Sequence, residues 1–137
     1  MNRIDFQEIA EFRLRESKAL LDAGFPDGAY YLAGYAIECA LKACIAKRTR
    51  EHDFPEKTLA IESYTHNLKD LLRLTLLKSE LEIAVQADSM MKTNWTIIQS
   101  WSETSRCERK TIQEDEALLR AIEDQSGGLL PWVRQRW

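Results

Sequence analysis

The spacing of apolar positions predicts helices along the whole chain. Ile4, Phe12, Ala19 and Ala23 keep near-helical spacing, with Ile9 and Leu20 beside them and Arg13, Arg15, Glu16, Lys18 and Asp22 between. This is the pattern of an amphipathic helix over about Arg3–Ala23. Gly24 is a stop signal, and Pro26-Asp27-Gly28 reads as a tight connection that turns the next helix back antiparallel. From Ala29 to Arg48 the apolar residues run nearly all the way round, which predicts a central and most buried helix. Gly34 and many alanines give it a thin waist that a neighbour can approach closely. Glu38 and Lys42, four apart in the favoured order, read as an exposed ion pair on its one polar strip. The helix ends in Lys47-Arg48-Thr49-Arg50, where positive charge suits the carboxyl end of the dipole.

The second half carries shorter elements. Glu51–Thr65 is the least regular stretch, with Asp53-Phe54-Pro55-Glu56 as a loop and Pro55 starting a short turn. His66 or Asn67 opens a helix whose apolar side is Leu68, Leu71, Leu72 and Leu74–Thr75. A longer helix is expected over Ser79–Trp101, with a Ser79/Glu82 capping box and an inner side of Leu81, Val85, Met90 or Met91, Trp95 and Ile98. A polar break covers Ser102–Glu108. The last helix begins near Ile112 or Gln113 and carries Ala117, Leu118, Ala121 and Ile122. Ser126-Gly127-Gly128 interrupts it before the apolar segment Leu129–Val133. No internal repeat, low-complexity tract or strand-like alternation stands out. The reading is all-α: an up-and-down bundle of four to five helices in a single domain over residues 1–137.

Composition narrows the class. The 137 residues are 45% apolar and 30% charged, ordinary for one globular domain. A net charge of −3 argues against a strongly basic nucleic-acid footprint on average, though not against a local patch. Three cysteines, Cys39, Cys44 and Cys107, cannot all pair within one chain, and a reduced cytoplasmic setting fits them. The N-terminus lacks the apolar core of a signal peptide. The Ala29–Ala46 window reaches roughly the minimum span length but contains Glu38 and Lys42, so a buried helix is expected rather than a membrane helix.

Metal and nucleophile chemistry find little support in the residues. No Glu-x-x-His pair is present for a carboxylate-bridged bundle, and Cys39 and Cys44 have no histidine near enough to complete a tetrahedral set. No metal or cofactor is expected. The cysteines read as small packing residues. Trp95, Trp101, Trp132 and Trp137 could stack on bases, but aromatics at helical spacing are more often core.

A family resemblance rests on particular stretches. The run from Phe25 to Ala43, FPDGAYYLAGYAIECALKA, is similar to the second helix of HEPN domains. Tyr64-Thr65-His66-Asn67-Leu68-Lys69-Asp70-Leu71 resembles the family's H-x-L-x-x-L helix start, and Asn94-Trp95 through Trp101-Ser102 to Ser105-Arg106 resembles the N-W…W…R-Y stretch of one branch. Cys107 departs from it, since an aromatic residue is usual there. Glu116-Ala117 onward, to Leu130-Pro131-Trp132, also fits that branch. The resemblance implies a bundle of four or five helices, often paired as a homodimer. It also implies association with toxin–antitoxin pairs, phage defence, RNA cleavage, nucleotides and a small nucleotidyltransferase partner.

The ribonuclease branch carries Arg, four to six residues, then His: arginine steadies a phosphate and histidine moves a proton near neutral pH. Upstream of His66 those positions hold Leu59, Ala60 and Ile61; upstream of His52 they hold Ile45, Ala46 and Lys47. The motif is therefore absent, and activity as an enzyme is left open. Lys47-Arg48-Thr49-Arg50-Glu51-His52 imitates it, with His52 reading as a solvated loop residue. His66 sits where a helix cap or a packing residue would. Arg106 is either a local ion-pair partner of Glu103 and Glu108 or a phosphate clamp at the bundle end. His66 and Arg106 are the weak catalytic candidates. With Lys47, Arg48 and Arg50 they are the nucleotide- or phosphate-binding candidates. If one phosphate uses both His66 and Arg106, their side chains must lie within about 12 Å.

The resulting expectation is a nucleotide- or RNA-associated binding and partner module in a toxin–antitoxin or defence setting, with a nucleotidyltransferase-type antitoxin. A divergent metal-independent ribonuclease using Arg106 with His66, and a structural dimer domain without ligand, are the alternatives. A homodimer is expected because Leu129–Val133 and Trp137 form an apolar segment that short helices do not fully cover. The competing arrangement is a monomer whose last residues fold back over the core.

Overall fold

A computed structural model describes residues 1–50, 52–54 and 56–137. The turn expected to start at Pro55, and Glu51 within the imitation motif, lie outside the described residues. Helix α1 spans Arg3–Asp22. Asn2 caps it: Oδ1 accepts from the Ile4 and Asp5 amides at 2.8 and 3.1 Å, and the Asp5 carboxylate accepts from the Asn2 amide at 2.8 Å. Its inward face is Ala10, Leu14 and Ser17, joined by the half-buried Phe6, Ile9 and Leu21. The stripe expected from the sequence is therefore the wrong row. Ile4 and Phe12 are 61% and 53% exposed, and Ala19 and Ala23 are exposed too. The chain offers more than one apolar row, and packing on the next helix selects the row at 10, 14, 17 and 21. The Arg15 guanidinium covers the Phe12 ring at 5.0 Å.

Gly24 ends α1 as its position suggests. It takes φ +84°, its amide donates to Leu21 O at 2.9 Å, and the Phe25 amide reaches Leu20 O at 2.9 Å. These paired bonds close off the last carbonyls of the helix. Pro26-Asp27-Gly28 is not the connection. Helix α2 spans Pro26–Ala46 and already includes those residues, with Pro26 in the first turn, where its missing N–H costs nothing. The buried Ser17 hydroxyl donates to Ala29 O at 2.7 Å and pins the hairpin.

Thirteen of the twenty-one residues of α2 are buried, so it is the central helix that the composition predicts, shifted by a few residues from Ala29–Arg48. Its narrow waist is occupied by a side chain: a Cβ built on Gly34 would lie 2.2 Å from the Trp101 indole. The exposed Glu38–Lys42 ion pair is a correction. Glu38 is 1% exposed, and the Lys42 ammonium reaches it at 2.8 Å with only 16% of its side chain exposed. A helix apolar on all sides has no solvent face to give to a charge.

The remaining helices are α3 (Lys57–Glu62), α4 (Leu68–Leu74), α5 (Lys78–Ala87), α6 (Ser89–Gln99), α7 (Ile112–Glu123) and α8 (Leu129–Arg134), with a 3-10 turn over Glu103–Cys107. Helices α4, α7 and α8 and the 3-10 turn pack on α2, whereas α5 packs on α6, and α6 on α7 and α8. The stretch expected to be irregular thus contains α3. The single helix expected over Ser79–Trp101 is two, because Asp88 leaves helical geometry and its carboxylate accepts from the Met90 and Met91 amides at 2.9 and 3.3 Å. The Ser79/Glu82 box does not form: α5 starts one residue earlier, after Leu77, with no side-chain cap. Helix α4 buries Leu68, Leu71, Leu72 and Leu74 with Thr75, as its periodicity predicts. A Thr111/Glu114 capping box opens α7.

The C-terminal segment changes the dimer argument. Leu129, Leu130 and Val133 are buried, and Trp137 packs against the core. Arg134 holds Glu11 of α1 through two bonds at 2.6 and 2.8 Å, and the Arg3 guanidinium donates to Trp137 O. The last residues fold back over the core, so they are not a free patch. Helices α1, α2, α5, α6 and α7, each of ten or more residues, form an all-α bundle. Among the described residues there is no strand, and no helix is long and apolar enough to cross a membrane.

Candidate functional site

The site is built outward from one buried carboxylate. Glu38 projects from the middle of α2, where desolvation would be costly without partners. Lys42, one turn along, supplies one. His66 supplies the other: Nδ1 lies 2.9 Å from Oε1 and 3.1 Å from Oε2. A carboxylate only accepts, so Nδ1 carries the proton and donates. The imidazole is half exposed, and its Nε2 points to Oε2 of Glu103 at 3.5 Å.

Local sequence fixes this placement. Asn67, not His66, caps α4: its Oδ1 accepts from the Lys69 and Asp70 amides at 2.9 and 3.2 Å. The Asn67 amide donates to Thr65 Oγ1 at 3.1 Å. His66 therefore sits between two anchored residues, and its ring is directed at α2. Leu68 and Leu71, buried on the same helix, hold α4 against the bundle.

Arg106 lies on the 3-10 turn that Glu103 opens, so the outward edge of the His66 ring meets the turn that carries Arg106. Arg106 is exposed and makes no hydrogen bond or ion pair among the described residues. The ion-pair reading with Glu103 or Glu108 is thus not seen. Glu108 instead meets Lys110 at 2.9 Å, and that hydrogen bond holds its carboxyl below the usual range. Ser105 on this turn is buried, and Trp101, just before the turn, buries its indole against Gly34; neither the Ser105 hydroxyl nor the Trp101 N–H has a partner among the described residues.

The basic run behaves differently. Lys47 Nζ donates to Arg136 O at 2.9 Å, and Arg48 donates to Leu74 O, the last carbonyl position of α4, at 2.7 Å. Arg48 thus closes the end of a helix other than its own, and Lys47 ties the end of α2 to the residues after α8. Arg50 is exposed, and its amide donates to Asp53 at 3.1 Å. Residues 47 to 50 follow Ala46, the end of α2, which by helical rise is already about 12 Å along the axis from Glu38, and their bonds run to other partners than His66. His52 is exposed and takes φ +75°.

Two buried acidic residues, Glu38 and Asp115, are not among the site candidates that the sequence offers. Glu38 was visible in principle: a charge on an all-apolar helix must be buried and paired. Asp115 occupies an apolar-stripe position with Leu118, Leu119 and Ile122 of α7, the same kind of signal. It is fully buried, neither carboxylate oxygen has a partner among the described residues, and burial pushes its carboxyl up to about 7. Burial also raises the Cys39 and Cys44 thiols to about 11, which leaves both unreactive at neutral pH. No group of three or more His, Cys, Asp or Glu side chains among the described residues could hold a metal ion.

The family model of the HEPN domain matches residues 5–124, most of the chain. The chain therefore belongs to the HEPN family. The match takes in α1 through α7 with the Glu38–His66 pair and the Arg106 turn, and ends before α8. No curated protein and no solved structure matches it.

Proposed function

We propose that this HEPN chain is a binding and partner module that takes a phosphate of a nucleotide or RNA where α2, the start of α4 and the Glu103–Cys107 turn meet. The observation that carries this reading is the Glu38–His66 bond. It fixes the imidazole so that Nε2 faces outward, beside the turn on which Arg106 stands exposed. A guanidinium and an outward-facing imidazole nitrogen are both suited to a phosphate oxygen, which would take the place of Glu103 beside Nε2. In this reading two copies pair, and a small nucleotidyltransferase-type antitoxin is the partner protein. With Leu129–Val133 turned inward, pairing rests on apolar side chains that stay outside, among them Leu76 at 69% and Ile83 at 71% exposure.

The same bond favours a second reading, a divergent metal-independent ribonuclease. A buried carboxylate on Nδ1 holds the ring in one orientation with Nε2 directed outward, as general acid–base work requires. RNA incubated with the purified protein in excess chelator separates the two. The module reading expects bound, intact RNA. Cleavage that disappears in His66→Ala would establish the enzyme instead. Growth arrest on induction, relieved by co-induction of a neighbouring nucleotidyltransferase gene, is the expected result for the antitoxin pairing.

A further inference from the structure

A groove of about 470 Å³ opens between the start of α1, the carboxyl half of α2 and α3. Its walls are mainly apolar: Phe6, Ile45, Leu59, Ala60 and Tyr64 line it. Among the described residues, Lys42 is the one cationic side chain on the lining. That volume is within the range of small-molecule sites, which are typically apolar clefts with very few polar groups that fix orientation.

Lys42 makes the groove specific. Its side chain is only 16% exposed, yet among the described residues it donates a single hydrogen bond, to Glu38 at 2.8 Å. An ammonium has three donors, so two are left on a group largely withdrawn from water. Glu38 does not depend on Lys42 alone, because His66 binds both of its oxygens. We propose that this groove binds a small amphipathic anion, an apolar body with one carboxylate, whose head pairs with Lys42 and whose body lies against Phe6, Ile45 and Leu59. Glu56 also lines the groove, which disfavours polyanions and selects a single charge. This site is separate from the phosphate site above. Its lining contains Lys42 but not Glu38, His66 or Arg106.

Calorimetric titration of the full chain tests the proposal with four probes. Octanoate and 1-naphthoate are the straight and flat anions, and octanol and 1-naphthalenemethanol are their neutral twins. At least one anion is expected to bind about tenfold or more tightly than its own alcohol. Which anion does so tells whether the natural body is a chain or a ring. Lys42→Gln should erase the preference. Ala60→Trp, which fills an exposed wall and leaves Lys42 and Glu38 in place, should remove binding while the helical circular dichroism is unchanged. The proposal is overturned if neither anion binds, if the alcohols bind as tightly, or if folded Ala60→Trp binds the anions as wild type does.

Discussion

His66 and Glu38, twenty-eight residues apart, share a hydrogen bond that ties α4 to the middle of α2, with Nδ1 at 2.9 and 3.1 Å from the two carboxylate oxygens. Glu38 is nearly fully buried and Lys42 mostly so. Removing one member of a buried charge group leaves the others uncompensated. Glu38→Gln should therefore cost about 2–4 kcal/mol in urea unfolding, less than a fully buried pair because His66 is half exposed. Glu38→Gln with Lys42→Gln should cost less than the sum of the single changes. Strict additivity would show that the two do not interact.

Gly34 tests the packing of α2. An alanine methyl would come within 2.2 Å of the Trp101 indole, which is itself buried. Gly34→Ala should lower stability by about 1–3 kcal/mol, despite the better helix propensity of alanine. Adding Trp101→Leu should recover part of the loss in a double-mutant cycle; a neutral or stabilising Gly34→Ala would refute the contact.

Asp115 gives stability a pH dependence of definite sign. Its usual value of 3.8 is raised by burial to about 7 in the fold. Between these values the unfolded chain has released the proton while the native chain keeps it. The native state binds more protons, so stability falls as pH rises through this window, by at most about 1.4 kcal/mol per pH unit, and levels off above it. Thermal melts from pH 5 to pH 8 should show Asp115→Asn gaining on wild type as pH rises. Parallel curves for the two proteins would exclude Asp115 as the source.

The thiols should divide by burial. Cys107 is exposed, whereas Cys39 and Cys44 are buried and held near 11. Ellman's reagent at pH 8 should titrate one thiol quickly in the native protein, lost in Cys107→Ser, and all three after unfolding. Rapid native labelling of a second thiol would mean that α2 opens readily.

Much of this was legible in the sequence, and the failures share a cause. The all-round apolar run of α2 and the leucine spacing of α4 are local patterns, and both elements form. The HEPN-like stretches gave the family and the bundle. Partner choice was not legible. Nothing in α1 alone says that the row of Ala10, Leu14 and Ser17 faces inward while Phe12 does not. Asp88 could equally sit within a helix, and only its capping bonds show that it divides α5 from α6. Leu129–Val133 reads the same whether a partner or the chain's own core covers it. At the site, His66 and Arg106 were visible as candidates from family-like motifs. The carboxylate that aims His66 reads as a surface charge, because Glu38 and Lys42 have the spacing of an exposed helical ion pair, and only the packing around α2 shows it buried.

The central claim is a phosphate site shared by His66 and Arg106, and fluorescence anisotropy of a labelled oligoribonucleotide and a labelled nucleotide in chelator tests it most directly. Wild type should bind at least one of them saturably, more weakly as salt rises. His66→Gln and Arg106→Gln should each weaken that binding by about tenfold or more, a loss of about 1.4 kcal/mol, with unchanged melting temperature for Arg106→Gln because that side chain is exposed and unpaired among the described residues. Binding of neither probe, or wild-type affinity in both variants, would contradict the account.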